Sequence, residues 1–283
     1  MERMLCSGVD GSPESLAAAR WAAEEAVLRD VRLHLVHAGG RGPKVPGPEG
    51  AVVRRRARQV LDEAEEQVRS VCPSVRLTDE HAEGPAAAAL LRAGDGAVMT
   101  VLGSRGRSAV TGLLVGSVAQ GVVARASHPA VLVRAAERQP DGAVVLGIDV
   151  TEPCDEVIEF AFTSALLHRV PLHVVHAWSE PSPSSIGSGE VALVADSKQM
   201  KEWQGFVDAV LQPWRLKHPD ADVTETVEKG RPAALLLGAA AGAGLLVVGR
   251  RIRDRPRIGP HTGPVTHNVI HHATCPVAVV PHC

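Results

Sequence analysis

The sequence predicts an α/β protein made of two copies of one unit, each an open parallel five-stranded sheet with helices on both faces. Three observations carry this reading. The segment "RLHLVHAGG" (Arg32 to Gly40) returns as "PLHVVHAWS" (Pro171 to Ser179), an offset of 139 residues. Apolar runs of strand length alternate with helical patterns along each copy, and such alternation implies right-handed crossovers that lay helices on both faces of a parallel sheet. The 283 residues suit two domains, and 45% hydrophobic against 22% charged residues is enough apolar matter for a core in each.

The first copy reads in order. Met4 to Val9 is an apolar run ending at Asp10. "SPESLAAARWAAEEAVLR" is a helix with Ser12 as N-cap and Pro13 in its first position. Arg32 to Ala38 is a strand, "AVVRRRARQVLDEAEEQVRS" an amphipathic charged helix, and Val75 to Ala82 a third strand. A short Ala/Leu helix from Pro85 to Leu91 precedes a fourth strand, Val98 to Leu102. Then come a glycine-bearing segment, a helix from Gly116 to Ala126, and a last strand from Ala130 to Val133.

The second copy repeats these landmarks. "SGVDGS" (Ser7 to Ser12) matches "LGIDVT" (Leu146 to Thr151), so Asp10 falls on Asp149 and Trp21 on Phe160. "AVMTVLG" matches "AGLLVVG" at an offset of 146, and "SHPAVLVR" matches "TCPVAVVP" at 147. The growth in offset assigns about seven extra residues to the Ser/Pro/Gly-rich "SEPSPSSIGSGE". The domains are expected at 1–138 and 142–283, joined near the polar "AAERQPDGA".

Composition narrows the function classes. A formal net charge of −2 lacks the basic surplus of a protein that lives on phosphate backbones. With 2% aromatic residues and no tyrosine, a stacking platform for single-stranded nucleic acid is not expected. No run reaches the length of a membrane span, and "MERMLCSGVDGS" lacks the pattern of a signal peptide, so the cytoplasm is expected. The five cysteines stand singly and read as reduced packing residues.

The segment "VLGSRGRSAVTGLLVGSVAQGVV" carries the chemistry. Gly103 ends the fourth strand, Gly106 follows within "GSRG", and Gly116-Ser117 opens a helix. Glycines keep side chains out of a ligand's way, and a helix start offers unpaired N–H groups and a hydroxyl suited to phosphate. Asp10, at the end of the first strand, is placed to accept hydrogen bonds from ribose hydroxyls. Open sheets of this kind bind ligands beyond the carboxyl ends of their strands, which here carry Asp10, Ala38 and Gly103.

The pattern G-x2-G-x9-G-[ST] between a strand and a helix, the "VDGS" near the domain start and the "HPAVLV" strand resemble the universal stress protein family, and the duplication resembles its tandem-domain members. The resemblance covers nearly the whole chain. It implies strand order 3-2-1-4-5 in each sheet, pairing of domains through their last strands and, in one subgroup, bound ATP with or without Mg2+. In that subgroup the aspartate after the first strand contacts ribose, the end of the second strand touches adenine, and the glycine motif wraps the phosphates. Carried over, the nucleotide-binding residues are Asp10, Ala38, Leu102, Gly103, Gly106, Gly116, Ser117 and Val118. The second copy departs: Ile252 stands where the second glycine belongs, one extra residue precedes Gly263, and Pro264 replaces the serine. Phosphate cradling there loses a turn, a hydroxyl and an N–H donor together, so ATP is expected in the first copy only. The arginines Arg250, Arg251, Arg253, Arg255 and Arg257 read either as a receiver for some other anion or as a solvated loop.

The implied role is a nucleotide-dependent regulator in stress response, a homo-oligomer with intrachain domain pairing and a regulatory protein partner. Two alternatives stay open: a slow ATP hydrolase, although no Walker-type motif is present, and a dimerising interaction module without ligand. His267 and His271, four residues apart in "HNVIHHATC", have metal-ligand spacing but no complete ligand set, so no metal is assigned. His37 and His176, the repeated "VHA" histidines, read as pocket-shaping or packed.

Overall fold

A computed structural model of the chain describes residues 3–39, 48–105, 115–135, 142–178, 189–252 and 262–283. The first half runs β1 (Met4–Gly8), α1 (Pro13–Leu28), β2 (Arg32–Ala38), α2 (Pro48–Val71), β3 (Leu77–Ala82), α3 (Ala86–Ala93), β4 (Met99–Gly103), α4 (Ser117–Val123) and β5 (Ala130–Val133). The second runs β6 (Val144–Gly147), α5 (Asp155–His168), β7 (Leu172–Trp178), α6 (Gly189–Lys217), β8 (Val223–Lys229), α7 (Pro232–Ala239), β9 (Leu245–Arg251), α8 (Pro264–His272) and β10 (Val277–His282). The expected α/β class holds, and each half is a parallel sheet in the order 3-2-1-4-5. The third strand is two residues shorter at its start than its apolar pattern suggests, because Val75 is buried in the turn that leads into it.

The halves share one sheet. β5 and β10 pair antiparallel, with Ala278 opposite Val131, giving a ten-stranded order β3-β2-β1-β4-β5-β10-β9-β6-β7-β8. An unpaired apolar strand at a sheet edge invites association, and here each half covers the other's. The outer edges are β3 and β8, whose exposed faces carry Thr78, Glu80, Thr224 and Glu228. Charge at an edge discourages further strand addition.

Period-two alternation divides the interior into two layers. On one face Leu5, Leu33, Leu35, Met99 and Val101 pack under α1 and α2, continuous with Leu146, Phe162 and Leu211 under α5 and α6. On the other, Cys6, Val36, Leu102 and Leu132 pack under α3 and α4, continuous with Leu236, Val248 and Ile270 under α7 and α8. Burial pushes the Cys6 thiol up to about 12, so it stays protonated and inert at neutral pH. All five cysteines are free.

Local chemistry sets the helix starts. Ser12 caps α1, its hydroxyl accepting from the Ser15 N–H at 3.2 Å, with Pro13 in the first turn. α5 begins six residues after Asp149, where α1 begins three residues after Asp10. It has Cys154 at its cap position, without a capping hydrogen bond from the side chain. A late start opens space beneath the helix, a difference that matters below. Among the extra residues of the second half, some lengthen α6, which has 29 residues against 24 in α2.

Two arginines tie the halves beyond the strand pairing. Arg134, just past β5, donates to the carbonyls of Ile270, His271 and Ala273 at the end of α8, at 3.1, 2.7 and 2.6 Å. Arg250 in β9 is buried and donates to the Ala126 carbonyl beyond α4. A cation on the last carbonyls of a helix is favourable both as a donor and as a charge against the dipole.

Candidate functional site

The carboxyl ends of β1, β2 and β4 open into a cleft of about 180 Å³ between α1, α3 and α4. Asp10, Ala38, Leu102, Gly103, Gly116, Ser117 and Val118 all line it, joined by Gly8, Ser15, Leu90 and Arg105. Gly106 lies outside the described residues. The position is where the topology demands a crevice: β1 is flanked by β2 and β4, whose crossovers depart to opposite faces.

The aspartate is held rather than loose. Its Oδ1 accepts the Ser12 N–H at 2.9 Å, and its own N–H reaches the Ser15 hydroxyl at 3.2 Å, while that hydroxyl donates to the Ser12 carbonyl at 2.9 Å. The α1 cap thereby aims the carboxylate over the cleft mouth. Gly103 lets this happen: a Cβ there would sit 2.7 Å from the Glu14 carbonyl carbon and 2.8 Å from the Ser15 nitrogen, both backbone. Across the cleft, the Gly116 N–H donates to the Ser104 carbonyl at 2.9 Å, so the turn that delivers Gly116, Ser117 and Val118 is tied to the end of β4. Ser117 and Val118 are exposed, with their backbone at the start of α4.

Two lining features escaped the sequence. Arg105, inside the glycine motif, pairs with Glu14 at 3.0 Å across the β1/β4 junction and brings a cation to the rim. Leu90 of α3 approaches Gly8 so closely that a Cβ there would lie 2.9 Å from one of its methyls, forming the inner apolar wall. The "GSRG" spelling showed the arginine; nothing local showed that Glu14 would meet it.

The second half has a larger cleft, about 440 Å³, lined at matching positions by Asp149, Ala177, Val248, Gly249, Gly263 and Pro264. Its size follows from the late start of α5. Val157, Ile158 and Cys154 now border the space that the first turn of α1 fills in the other half. Accordingly a Cβ on Gly249 would face the His282 ring at 2.9 Å rather than backbone. Asp149 is pinned in the same way as Asp10, accepting the Thr151 N–H at 3.0 Å and its hydroxyl at 2.6 Å, and Arg251 pairs with Glu152 at 2.6 Å as Arg105 does with Glu14. Ile252 and Pro264 stand as the sequence shows, Pro264 at the start of α8.

The arginine run is corrected in part. Arg250 is a buried cap for the other half, whereas Arg251, the last residue of β9, is exposed and pairs with Glu152 at the surface; Arg253, Arg255 and Arg257 lie outside the described residues. The repeated histidines are stitches. Nδ1 of His37 donates to the Val9 carbonyl at 2.8 Å and Nδ1 of His176 to the Ile148 carbonyl at 3.1 Å, each tying its second strand to the residue after its first. His267 and His271 do lie side by side on α8, ring centroids 4.5 Å apart and the planes tilted by 54°. Among the described residues no group of three or more His, Cys, Asp or Glu side chains is arranged to hold a metal ion.

The molecule is a doubly wound α/β protein with a polar-rimmed cleft at the switch point of its parallel sheet, here in two fused copies. The chain belongs to the universal stress protein family: that family's model matches residues 1–134 and again 142–281. It is 31% identical over 297 residues to universal stress protein Rv1996 of Mycobacterium tuberculosis, covering 96% of this chain and 93% of that one. A universal stress protein of Mycolicibacterium smegmatis is 32% identical over 289 residues, with 96% and 95% covered. The crystal structure of a universal stress protein from Archaeoglobus fulgidus superposes with a TM-score of 0.69, at 17% identity and 98% coverage of both chains, which shows the shared fold.

Proposed function

We propose that the first half binds an adenine nucleotide, ATP, in the cleft between α1, α3 and α4, and that occupancy makes the chain a nucleotide-dependent regulator in stress response. The observation that carries the reading is convergence: residues scattered from Asp10 to Val118, implied by the family resemblance, line one cleft, with Gly106 outside the described residues. In this reading Ala38 and Leu102 take the base, Asp10 the ribose hydroxyls, and the Gly103–Gly116 turn with Ser117 the phosphates, with Mg2+ as the companion ion. Arg105 adds a cation to the phosphate end, exchanging Glu14 for a phosphate oxygen. The second cleft lacks the serine and carries Pro264, which has no N–H to give, so we assign it no ATP.

Occupancy acts as a switch only if ATP prefers one of two states of the chain. The reading contains no chemical step; any hydrolysis is weak. The same proposal takes the chain as cytoplasmic, self-associating and read by a protein partner; no described helix is long and apolar enough to cross a membrane.

The test is to denature freshly purified protein, quantify released nucleotide, and then titrate the emptied chain with ATP and magnesium. About one ATP per chain is expected, falling at least ~10-fold in affinity in Asp10→Ala and Ser117→Ala, the size of one to two lost hydrogen bonds to a charged ligand. Pro264→Ser in the second half is expected to leave the stoichiometry unchanged, because the second glycine is still absent. Failure to bind at millimolar ATP, or two equivalents per chain, overturns the reading.

A further inference from the structure

We propose that His271, from the second half, is a positioning residue for the cleft of the first half, and that protonating it releases the turn that carries Gly116, Ser117 and Val118. The inference rests on the nucleotide reading above. His271 is only 5% exposed and uses both ring nitrogens on the other half of the chain. The Val115 N–H donates to Nδ1 at 3.1 Å, and the Gln120 carboxamide meets Nε2 at 3.1 Å. Val115 directly precedes Gly116, so the cleft-lining turn is gripped at two adjacent residues, by the Ser104 carbonyl of its own half and by a side chain from the other.

The grip is reciprocal. Arg134 of the first half holds the His271 carbonyl and two neighbouring carbonyls of α8, fixing the helix that presents the ring. It also runs one way in sequence terms: the position matching His271 in the first half is Ala124, which has nothing to offer α8. A half that has lost its own phosphate motif thus lends its α8 to brace the motif that remains.

The chemistry makes the brace sensitive to protons. Nδ1 accepts from Val115 only while the ring is neutral, its proton then on Nε2; the Gln120 amide nitrogen lies at that position, and turning the carboxamide over brings its oxygen to the Nε2 proton. An imidazolium presents N–H at both nitrogens, and the Val115 N–H then faces another donor. The charged and titratable groups that act on the ring are His267 and His272 on its own helix and Arg134 from the end of β5. All are cationic or become so, and together with burial they hold His271 below the usual histidine range. The contact is therefore intact at neutral pH and fails on acidification. By linkage, a nucleotide that needs the turn in place makes His271 harder to protonate.

The test measures ATP affinity of the full chain across the pH 5–8 range in which histidines titrate, for wild type, His271→Asn and His271→Phe. Asparagine keeps an acceptor near the Nδ1 position and does not titrate; phenylalanine fills the volume with no acceptor. Comparing variants at each pH cancels the titration of ATP itself. Affinity of wild type is expected to fall ~10-fold more than that of His271→Asn on acidification, and His271→Phe to bind ~10-fold more weakly than His271→Asn at every pH, the loss of one buried hydrogen bond, so that it meets wild type at the acid end. Superimposable profiles for wild type and His271→Asn, or wild-type affinity in His271→Phe at the alkaline end, overturn the proposal. Hydrogen exchange at the Val115 amide separates the two readings. Absence of ATP binding by wild type at the alkaline end overturns the nucleotide reading, whereas acid-induced loss of Val115 protection in wild type but not in His271→Asn still reports the brace.

Discussion

Replacing Glu25 by alanine is expected to lower the unfolding free energy by about 3–5 kcal/mol, the range for removing one partner of a buried ion pair. The Glu25 side chain is 1% exposed. Its carboxylate accepts from Arg29 at 2.9 Å on its own helix and from His168 on α5 of the other half. Arg29 in turn reaches the Ser164 hydroxyl at 3.1 Å and lies over the Phe160 ring. Alanine would leave the largely buried Arg29 guanidinium without its counter-charge and the His168 ring without its hydrogen-bond partner. Glutamine retains the volume and an acceptor and should cost less. Urea unfolding at neutral pH measures both; a loss below 1 kcal/mol for alanine would refute the account.

The same site dictates an acid limb. Burial alone would raise the Glu25 carboxyl, but the His168 hydrogen bond and the charges of Arg29 and His168 outweigh it and hold the carboxyl below the ordinary glutamate range. A carboxyl depressed in the folded state contributes stability that is fully present above its unfolded value of ~4.3 and is lost as pH falls through the folded value. Stability of wild type should therefore drop more steeply below about pH 4.3 than that of Glu25→Gln. Parallel curves would show that the carboxylate contributes nothing there.

Gly103→Ala should cost about 1–3 kcal/mol and abolish nucleotide binding, while Gly249→Ala, its counterpart in the other half, should cost less than about 1 kcal/mol. The sequence presents these glycines as equals. In the structure the added methyl at Gly103 meets backbone of Glu14 and Ser15 on one side, while β4 is locked between β1 and β5 on the other. The first turn of α1 must lift, taking with it the Ser12–Asp10 hydrogen bond and the Glu14–Arg105 pair. At Gly249 the nearest neighbour is the His282 ring, a side chain that can turn away. Thermal unfolding of the two variants compares them directly, and equal losses would mean that the late start of α5 has no energetic consequence.

Much of this was legible from residues alone. Ser12 with Pro13 announces the α1 start because capping chemistry is local. The alternation of Leu33 and Leu35 with Arg32 and His34 marks a strand because its period is two residues. Other features had no local sign. His271 was legible only as half of a metal-like pair with His267, since nothing near it in sequence points to Val115, 156 residues away. Arg250 sat in a run of arginines that reads as solvated, and its burial becomes visible only once β9 meets the segment after α4 that carries Ala126.

By itself the sequence determined the duplication, the strand and helix alternation of each copy, and which copy keeps the glycines and the serine, because each is written in short-range spacing or in direct comparison of one half with the other. The tertiary structure alone decided that the last strands, expected to pair, meet antiparallel with Ala278 opposite Val131, that the copy with the lost motif has the wider cleft, and that its α8 grips the turn of the intact one. Those outcomes depend on contacts between residues far apart in the chain, where no periodicity or spacing records which side chains will meet.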